Sequence, residues 1–243
     1  MKAVVGVIQA RTGSTRLPGK VLLPLSGRSV LGWVVRAVIA SHAVDDLVVA
    51  TTTEPADDVV VAECAALGVA CHRGPVDDVL TRFLGAIDGR DAGAVARFTA
   101  DCPLLDPALI DAVVSAWRAM PWLDYVSTAL PRSVPRGMDV EIVRADTLRA
   151  LSETAVDHHR VHVTSGVYTD PGRHRLLGVT LRPGAEDLRV TLDTPEDWEL
   201  IKAVVAEFGD RPADLGTLVE WLRAHPEVVA LNAGIEQKPL HAG

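Results

Sequence analysis

Apolar residues recur along this chain in two rhythms. Short, nearly unbroken runs rich in valine alternate with longer stretches whose apolar side chains return every three or four positions. Ala3 to Gln9 (AVVGVIQ) reads as a strand buried on both faces, because no polar residue alternates with the valines and isoleucine. Val30 to Ile39 reads as a helix with Leu31, Val34, Val35 and Val38 on one face. Leu47 to Thr52 predicts a second strand, Asp57 to Leu67 a helix stopped by Gly68, and Val69 to His72 a short third strand. Asp78 to Ile87 is again helical, and Ala94 to Thr99 is a fourth strand.

Two later helices carry local start signals. In DCPLLDPALIDAVVSAW, Asp106 caps the free amides and Pro107 occupies the first turn. In DTPEDWELIKAVVAEFG, Thr194 is the cap, Pro195 takes the first position, Asp197 stands three residues after the cap, and Gly209 closes the helix. Repeated strand-helix alternation predicts an α/β fold: one domain with a mostly parallel central sheet and helices on both faces.

The rhythm breaks at 131–143, PRSVPRGMDVEIV, where prolines and a glycine precede a short alternating strand. A helix from Ala145 to Ala155, the basic run HHRVHVT, the segment Ser165 to Tyr168 and a DPG turn follow. Residues 131–180 are therefore expected to form a small β/α insertion that leaves the sheet, returns to it, and covers a ligand site. The domain is expected to span 1–225, with a polar tail at 226–243 that wraps loosely. The sequence shows neither internal repeats nor low-complexity segments.

With 48% hydrophobic residues in 243, the chain can bury a substantial core. It has no signal-peptide pattern and no apolar run approaching the ~18 residues of a membrane helix, so a cytoplasmic location is expected. Cys64, Cys71 and Cys102 are odd in number and form no CxxC pair, which argues against a disulfide framework or a zinc site. A net charge of −8 argues against nucleic acid as a partner. Charge is local, however, and residues 11–20 hold Arg11, Arg16 and Lys20 with no acid among them.

That basic stretch contains GSTRLPGK, which nearly matches a Walker A loop but misses it. Five residues, Ser14 to Pro18, separate Gly13 from Gly19, and Val21 stands where a magnesium-binding Ser or Thr would follow Lys20. The glycines still allow main-chain amides to approach an anion, and the cations supply fixed positive charge. Two carboxylates complete the candidate chemistry. Asp101 follows the fourth strand while Asp106 caps the next helix, and Asp193 ends RVTL, read here as another strand, while Thr194 is the following cap. Spare carboxylates at strand ends suit a hard divalent ion, and ligands of open α/β sheets bind beyond the strands' carboxyl ends.

These residues resemble a known family. IQARTGSTRLPGKVLLPL resembles the signature of cytidylyltransferases of the spore-coat polysaccharide type, relatives of CMP-KDO synthetase. VATTTEPADDVV, HRGPVDDVLTRF, RFTADCPLLDP, GMDVEIV, RVHVTSGVYTDP and RVTLDTPEDWELI resemble its later blocks in the same order, over about residues 3–205. The resemblance implies a GT-A-like (Rossmann-like) nucleotidyltransferase domain, homodimeric, using CTP and Mg²⁺. It implies that Arg11, Arg16 and Lys20 bind the triphosphate and that Asp101, with Asp193, ligates the metal. Gly13, Ser14 and Arg73 join the nucleotide-binding set, and Ala10, Arg11 and the segment Ala50, Thr51, Thr52 would hold the cytosine. Arg136, Asp139, Glu141, Arg160 and His162 would line the acceptor pocket, for a sugar acid, a phosphate or a phosphonate. Val161 stands where the family often has an acidic residue, and Pro75 where it often has serine, so acceptor identity is less determined than the core chemistry.

Two other functions compete. A glycosyltransferase could share the fold, but it more often carries Asp-x-Asp, and Ala100-Asp101-Cys102 does not match. A non-catalytic binding domain would be expected to have lost Lys20, Asp101 or Asp193. For a dimer seam, the sequence offers Val30 to Val38 or the strand at 138–143.

Overall fold

The computed structural model describes residues 2–156, 158–182, 184–210 and 213–237. Strand β1 (Ala3–Gln9) runs up the interior of a sheet, where an almost unbroken apolar run belongs. A small hairpin follows, β2 (Pro24–Leu25) with β3 (Arg28–Ser29), then α1 (Val30–Ala40), β4 (Asp46–Thr52), α2 (Asp58–Leu67), β5 (Ala70–Gly74), α3 (Val79–Ala86) and β6 (Ala92–Thr99). Helix α4 (Pro107–Ala119) leads to β7 (Tyr125–Ser127), β8 (Glu141–Arg144) and α5 (Ala145–Thr154). Short helices α6 (His158–Val161) and α7 (Ser165–Tyr168) precede β9 (Leu176–Gly178), and α8 (Pro195–Phe208), α9 (Leu215–Ala224) and α10 (Pro226–Val229) complete the order.

Seven strands form one sheet in the order β5-β4-β1-β6-β8-β7-β9. β8 alone runs against its neighbours β6 and β7; the other pairings are parallel. One face of the sheet packs on α1, α4, α8 and α9 through Val4, Ile8, Val49 and Phe98, and the other on α3 and α5 through Val5, Val7, Val48 and Val95. The fold is thus the α/β arrangement that the alternation predicts.

Local signals act where expected. Asp106 accepts from Ala108 N at 2.8 Å, and Thr194 and Asp197 form a reciprocal capping box that starts α8. Gly68, in a left-handed conformation, ends α2.

Several expectations need correction. β5 runs on to Gly74, two residues beyond the predicted end, because Thr51 and Thr52 of β4 continue the ladder to Arg73 and Gly74. The segment before Asp193 is not a strand: it makes a single bridge, Arg136 to Arg189, and its amides bond to loop carbonyls. The stretch 131–180 does return to the sheet, as β8 in its interior and β9 at its edge. Neither surface offered as a dimer seam is exposed. Leu31, Val34, Val35 and Val38 are buried in the core, and so are Met138, Val140, Ile142 and Val143. The tail expected to wrap loosely includes α10 and the buried Asn232; residues 238–243 lie outside the described residues. The three cysteines are free thiols, and among the described residues no helix is long and apolar enough to cross a membrane.

Candidate active site

The loop after β1 is clamped rather than free. Thr12 donates from both its amide and its hydroxyl to Asp57 Oδ1, each at 2.7 Å, and the Thr52 hydroxyl donates to Asp57 Oδ2. These bonds hold the buried Asp57 carboxyl below its usual range despite the opposing effect of burial. Gly19 N closes the loop on Thr12 O at 2.9 Å. Its φ of +68° is a conformation that favours glycine, and it turns the chain so that Lys20 points under the sheet's carboxyl end. Gly13 is different: a side chain there would meet only open space, on the wall of the cleft.

Lys20 is 8% exposed and uses all three ammonium protons. It donates to Asp101 Oδ2 at 2.6 Å, to Asp193 Oδ1 at 2.7 Å and to the Leu192 carbonyl at 2.7 Å. Burial pulls its pKa down, but the facing Asp101 and Asp193 outweigh burial and hold it above the ordinary lysine value. The two carboxylates converge because Leu192 N donates to the Asp101 carbonyl at 2.8 Å, which staples the Asp193 segment to the end of β6.

Behind Asp193 stands a second layer of support. Asp193 Oδ2 pairs with Arg16 at 3.0 Å and with Arg189 at 2.9 Å. Arg189 also bonds both oxygens of Asp197, which accept in addition from the amides of Asp193 and Thr194 and from Asn232 Nδ2. Burial raises the pKa of Asp193, but Lys20, Arg189 and Arg16 lower it more, so it stays ionised. The cluster opens into a cleft of about 380 Å³ whose wall includes Arg11, Gly13, Ser14, Arg16, Lys20, Asp101 and Asp193.

A second cavity of about 380 Å³ adjoins it, sharing Thr99. Arg97, Arg132, Arg136, Asp139 and Glu141 line it. Arg132 pairs with Asp139 at 2.6 Å, and Glu141 accepts from Arg97, from the Tyr125 hydroxyl at 2.5 Å and from the Thr164 hydroxyl at 2.5 Å. Arg136 has no ion pair among the described residues; burial and the nearby Arg132 lower its pKa. A cation so placed favours an anionic ligand.

The sequence model of the family described as cytidylyltransferase matches residues 5–162. The chain belongs to the cytidylyltransferase family. It is 34% identical over 236 residues to the spore coat polysaccharide biosynthesis protein SpsF of Bacillus subtilis, covering 93% of this chain and 97% of that protein. The 3-deoxy-manno-octulosonate cytidylyltransferase of Synechococcus elongatus is 38% identical over 122 residues, 49% of this chain and 48% of that one. Among solved structures, a cytidylyltransferase from Leptospira borgpetersenii superposes with a TM-score of 0.91 at 27% identity, over 98% of this chain and all of that one. The protein is a nucleotidyltransferase by family, and the α/β domain is the fold that family shares.

In this cytidylyltransferase the residues expected to act together fall into three groups. Arg11, Gly13, Ser14, Arg16, Lys20, Asp101 and Asp193 share the cleft, and Arg136, Asp139 and Glu141 share the adjoining cavity. The rest lie elsewhere. Ala10 N donates to the Ala50 carbonyl at 3.1 Å, and Ala10, Ala50, Thr51 and Thr52 are buried, so their side chains do not reach either space. Arg73 braces the loop after β4, donating to the carbonyls of Thr52 and Glu54 and pairing with Asp58 at 2.6 Å. Arg160 bonds Asp78, the cap of α3, at 2.6 Å and the Ser152 carbonyl at 2.9 Å, and neither it nor His162 lines the cleft or the cavity.

Residues that the sequence reading passed over carry much of the geometry. Arg97 breaks the apolar run of β6, a signal that could have marked it as facing a polar cavity. Arg189 stands four residues before Asp193, and Asp57 was read only as a helix start. Asn232 left no sequence signal; only the fold brings it to Asp197.

Proposed function

We propose that this chain transfers CMP from CTP to an anionic small acceptor and releases pyrophosphate. An acceptor oxygen forms a bond to the α-phosphorus as the bond to the β-phosphate oxygen breaks, and the leaving pyrophosphate departs in line. Such a reaction asks the protein mainly for positioning and for neutralisation of charge. Arg11, Arg16 and Lys20 neutralise the triphosphate and then the pyrophosphate. Arg136, together with Arg97 held by Glu141, orients the acceptor's anionic group.

Asp101 and Asp193 are the residues that would hold Mg²⁺. They fit it: both are carboxylates, both already aim an oxygen at a single cationic centre, and an oxygen-only pair leaves positions for water and phosphate. When bound, the ion would neutralise charge at the α-phosphate and sharpen the attacking oxygen. The observation that carries the reading is the convergence of Lys20, Asp101 and Asp193 at the mouth of a cleft walled by Arg11 and Arg16.

The sugar acid in the name of the Synechococcus relative supports a sugar-acid acceptor, and the name of the Bacillus relative supports a place in polysaccharide biosynthesis. Phosphate and phosphonate acceptors satisfy the same cations. A cytoplasmic homodimer is part of the proposal and rests on the family resemblance. The test is pyrophosphate release from each of the four NTPs with Mg²⁺, against a panel of sugar acids, sugar phosphates and phosphonates. Release with CTP and one acceptor class is the expected result; release with no nucleotide and no acceptor would overturn the reading.

A further inference from the structure

The C-terminal segment brings one more side chain to the second cavity. Helix α10 packs Val228 and Val229 against the core, and the turn after it buries Asn232. The Asn232 side chain donates to Asp197 and to the Arg189 carbonyl, which ties the segment to the support behind Asp193. Ile235 N donates back to the Asn232 carbonyl at 3.0 Å, and two residues on, Gln237 lines the cavity together with Arg136.

Gln237 Oε1 accepts from Arg189 Nη1 at 3.1 Å. A guanidinium only donates, so this bond fixes the amide with its oxygen on Arg189. The NH₂ is then the group that Gln237 offers to a ligand, and among the described residues no protein atom accepts its protons. Arg189 also donates to Asp193 Oδ2 at 2.9 Å, so a single guanidinium separates Gln237 from the Asp193 carboxylate. Arg136 is held against the same segment. Its amide donates to the Leu188 carbonyl at 2.9 Å, and its carbonyl accepts from Val190 N at 2.7 Å, on either side of Arg189. A neutral double donor and a cation without an ion pair thus line one cavity, a pairing suited to an anionic group.

We propose that Gln237 is an acceptor-binding residue, its NH₂ donating to the anionic group that Arg136 attracts, so that the C-terminal segment sets acceptor specificity. The inference rests on the transfer to an anionic acceptor proposed above, and adds to it a residue from the far end of the chain. Gln237→Glu separates this role from simple bracing. The glutamate carboxylate can still accept from Arg189, so the bond that seats the side chain is kept. It has no proton to donate, however, and it sets a negative charge against the acceptor's own.

The experiment measures pyrophosphate release by the full chain with Mg²⁺ and CTP, varying whichever sugar acid, sugar phosphate or phosphonate of the panel gives the fastest release. Wild type, Gln237→Ala and Gln237→Glu are compared, with thermal unfolding as the control for folding. Gln237→Ala should raise the acceptor KM about two- to tenfold, the worth of one hydrogen bond. Gln237→Glu should raise it by more than about tenfold, because like charges then face each other. The KM for CTP should stay within about twofold in both variants, and added NaCl should narrow the gap between Gln237→Glu and wild type. An acceptor KM within twofold of wild type in Gln237→Glu would overturn the proposal. So would losses that fall equally on kcat and on the KM for CTP, which would make Gln237 a brace for Asp193 acting through Arg189. Should Gln237→Glu fail to fold, Gln237→Ala decides by the same split between acceptor and CTP. A wild type that releases pyrophosphate with no acceptor of the panel would instead overturn the nucleotidyltransfer reading, and this inference with it, a result distinct from any change between variants.

Discussion

The Lys20 ammonium donates at 2.7 Å to Asp193 Oδ1, across 173 residues of sequence. The same nitrogen reaches Asp101 at 2.6 Å, so one buried cation ties the loop after β1 to two carboxylates from separate segments, one after β6 and one before α8. On the proposed reading, this is why the glycine-rich loop departs from Walker A. The groups suited to a metal come from Asp101 and Asp193, and no hydroxyl is needed after Lys20.

Lys20→Ala should remove both the tie and a charge donor to the leaving group. The expected loss in kcat/KM is about 2–4 kcal/mol of transition-state stabilisation, the scale for one preorganised donor. Steady-state kinetics at saturating acceptor checks it, and a kcat/KM within a few-fold of wild type would remove Lys20 from the machinery.

Arg136→Ala should act on the acceptor and leave the nucleotide alone. With the acceptor that supports pyrophosphate release, its KM should rise tenfold or more while CTP affinity stays within about twofold, the pattern of a lost binding contact. An equal loss for CTP would place Arg136 on the nucleotide side instead.

Asn232→Ala tests the support behind Asp193. Its side chain donates to Asp197 Oδ1 at 2.8 Å and to the Arg189 carbonyl at 3.2 Å. Removing it leaves buried acceptors short of a donor, at a cost of about 1–3 kcal/mol. Denaturant unfolding should show that loss, with kcat lowered as well because Arg189 and Asp197 position Asp193. Unchanged stability would show that the tail contributes nothing to the site.

Asp124 predicts an acid-sensitive window away from the cleft. Burial raises its pKa, but Arg175, Thr147 and Arg144 bring it from 3.8 down to about 2. Between those values the unfolded chain takes up the proton before the folded one, so stability is fully present above pH 3.8 and is lost as pH falls toward 2. Asp124→Asn should therefore be less stable than wild type at neutral pH, and the difference should shrink on acidification through this window. Thermal unfolding across the range checks it; a pH-independent difference would contradict the assignment.

The sequence makes the local parts of this protein readable and hides the non-local ones. The capping box at Thr194 and Asp197 is encoded within four residues, and β1 is marked by its own composition. The extended segment before Asp193 looks like a strand because its side chains alternate into the core, yet its partners are loop residues, Arg136 and Asp101, which no local pattern identifies. Glu141 was expected to face the acceptor. It lines the second cavity, but its oxygens are already taken by Arg97, Tyr125 and Thr164, a network assembled from β6, β7 and the start of α7 that no local pattern announces. Arg160 looked like an acceptor ligand by its basic neighbours, but Asp78, the cap of α3, captures it.

The measurement that tests the central claim most directly is the rate of pyrophosphate release from CTP by Asp193→Asn, at saturating Mg²⁺ and acceptor, with thermal unfolding as the control for folding. Asp193 is the point where Lys20, Arg16 and Arg189 converge. The account predicts a folded protein whose turnover is lost by about a thousandfold or more, the scale expected when a charge-stabilising group is removed at the reacting centre. A folded variant that releases pyrophosphate at a rate near wild type would contradict it.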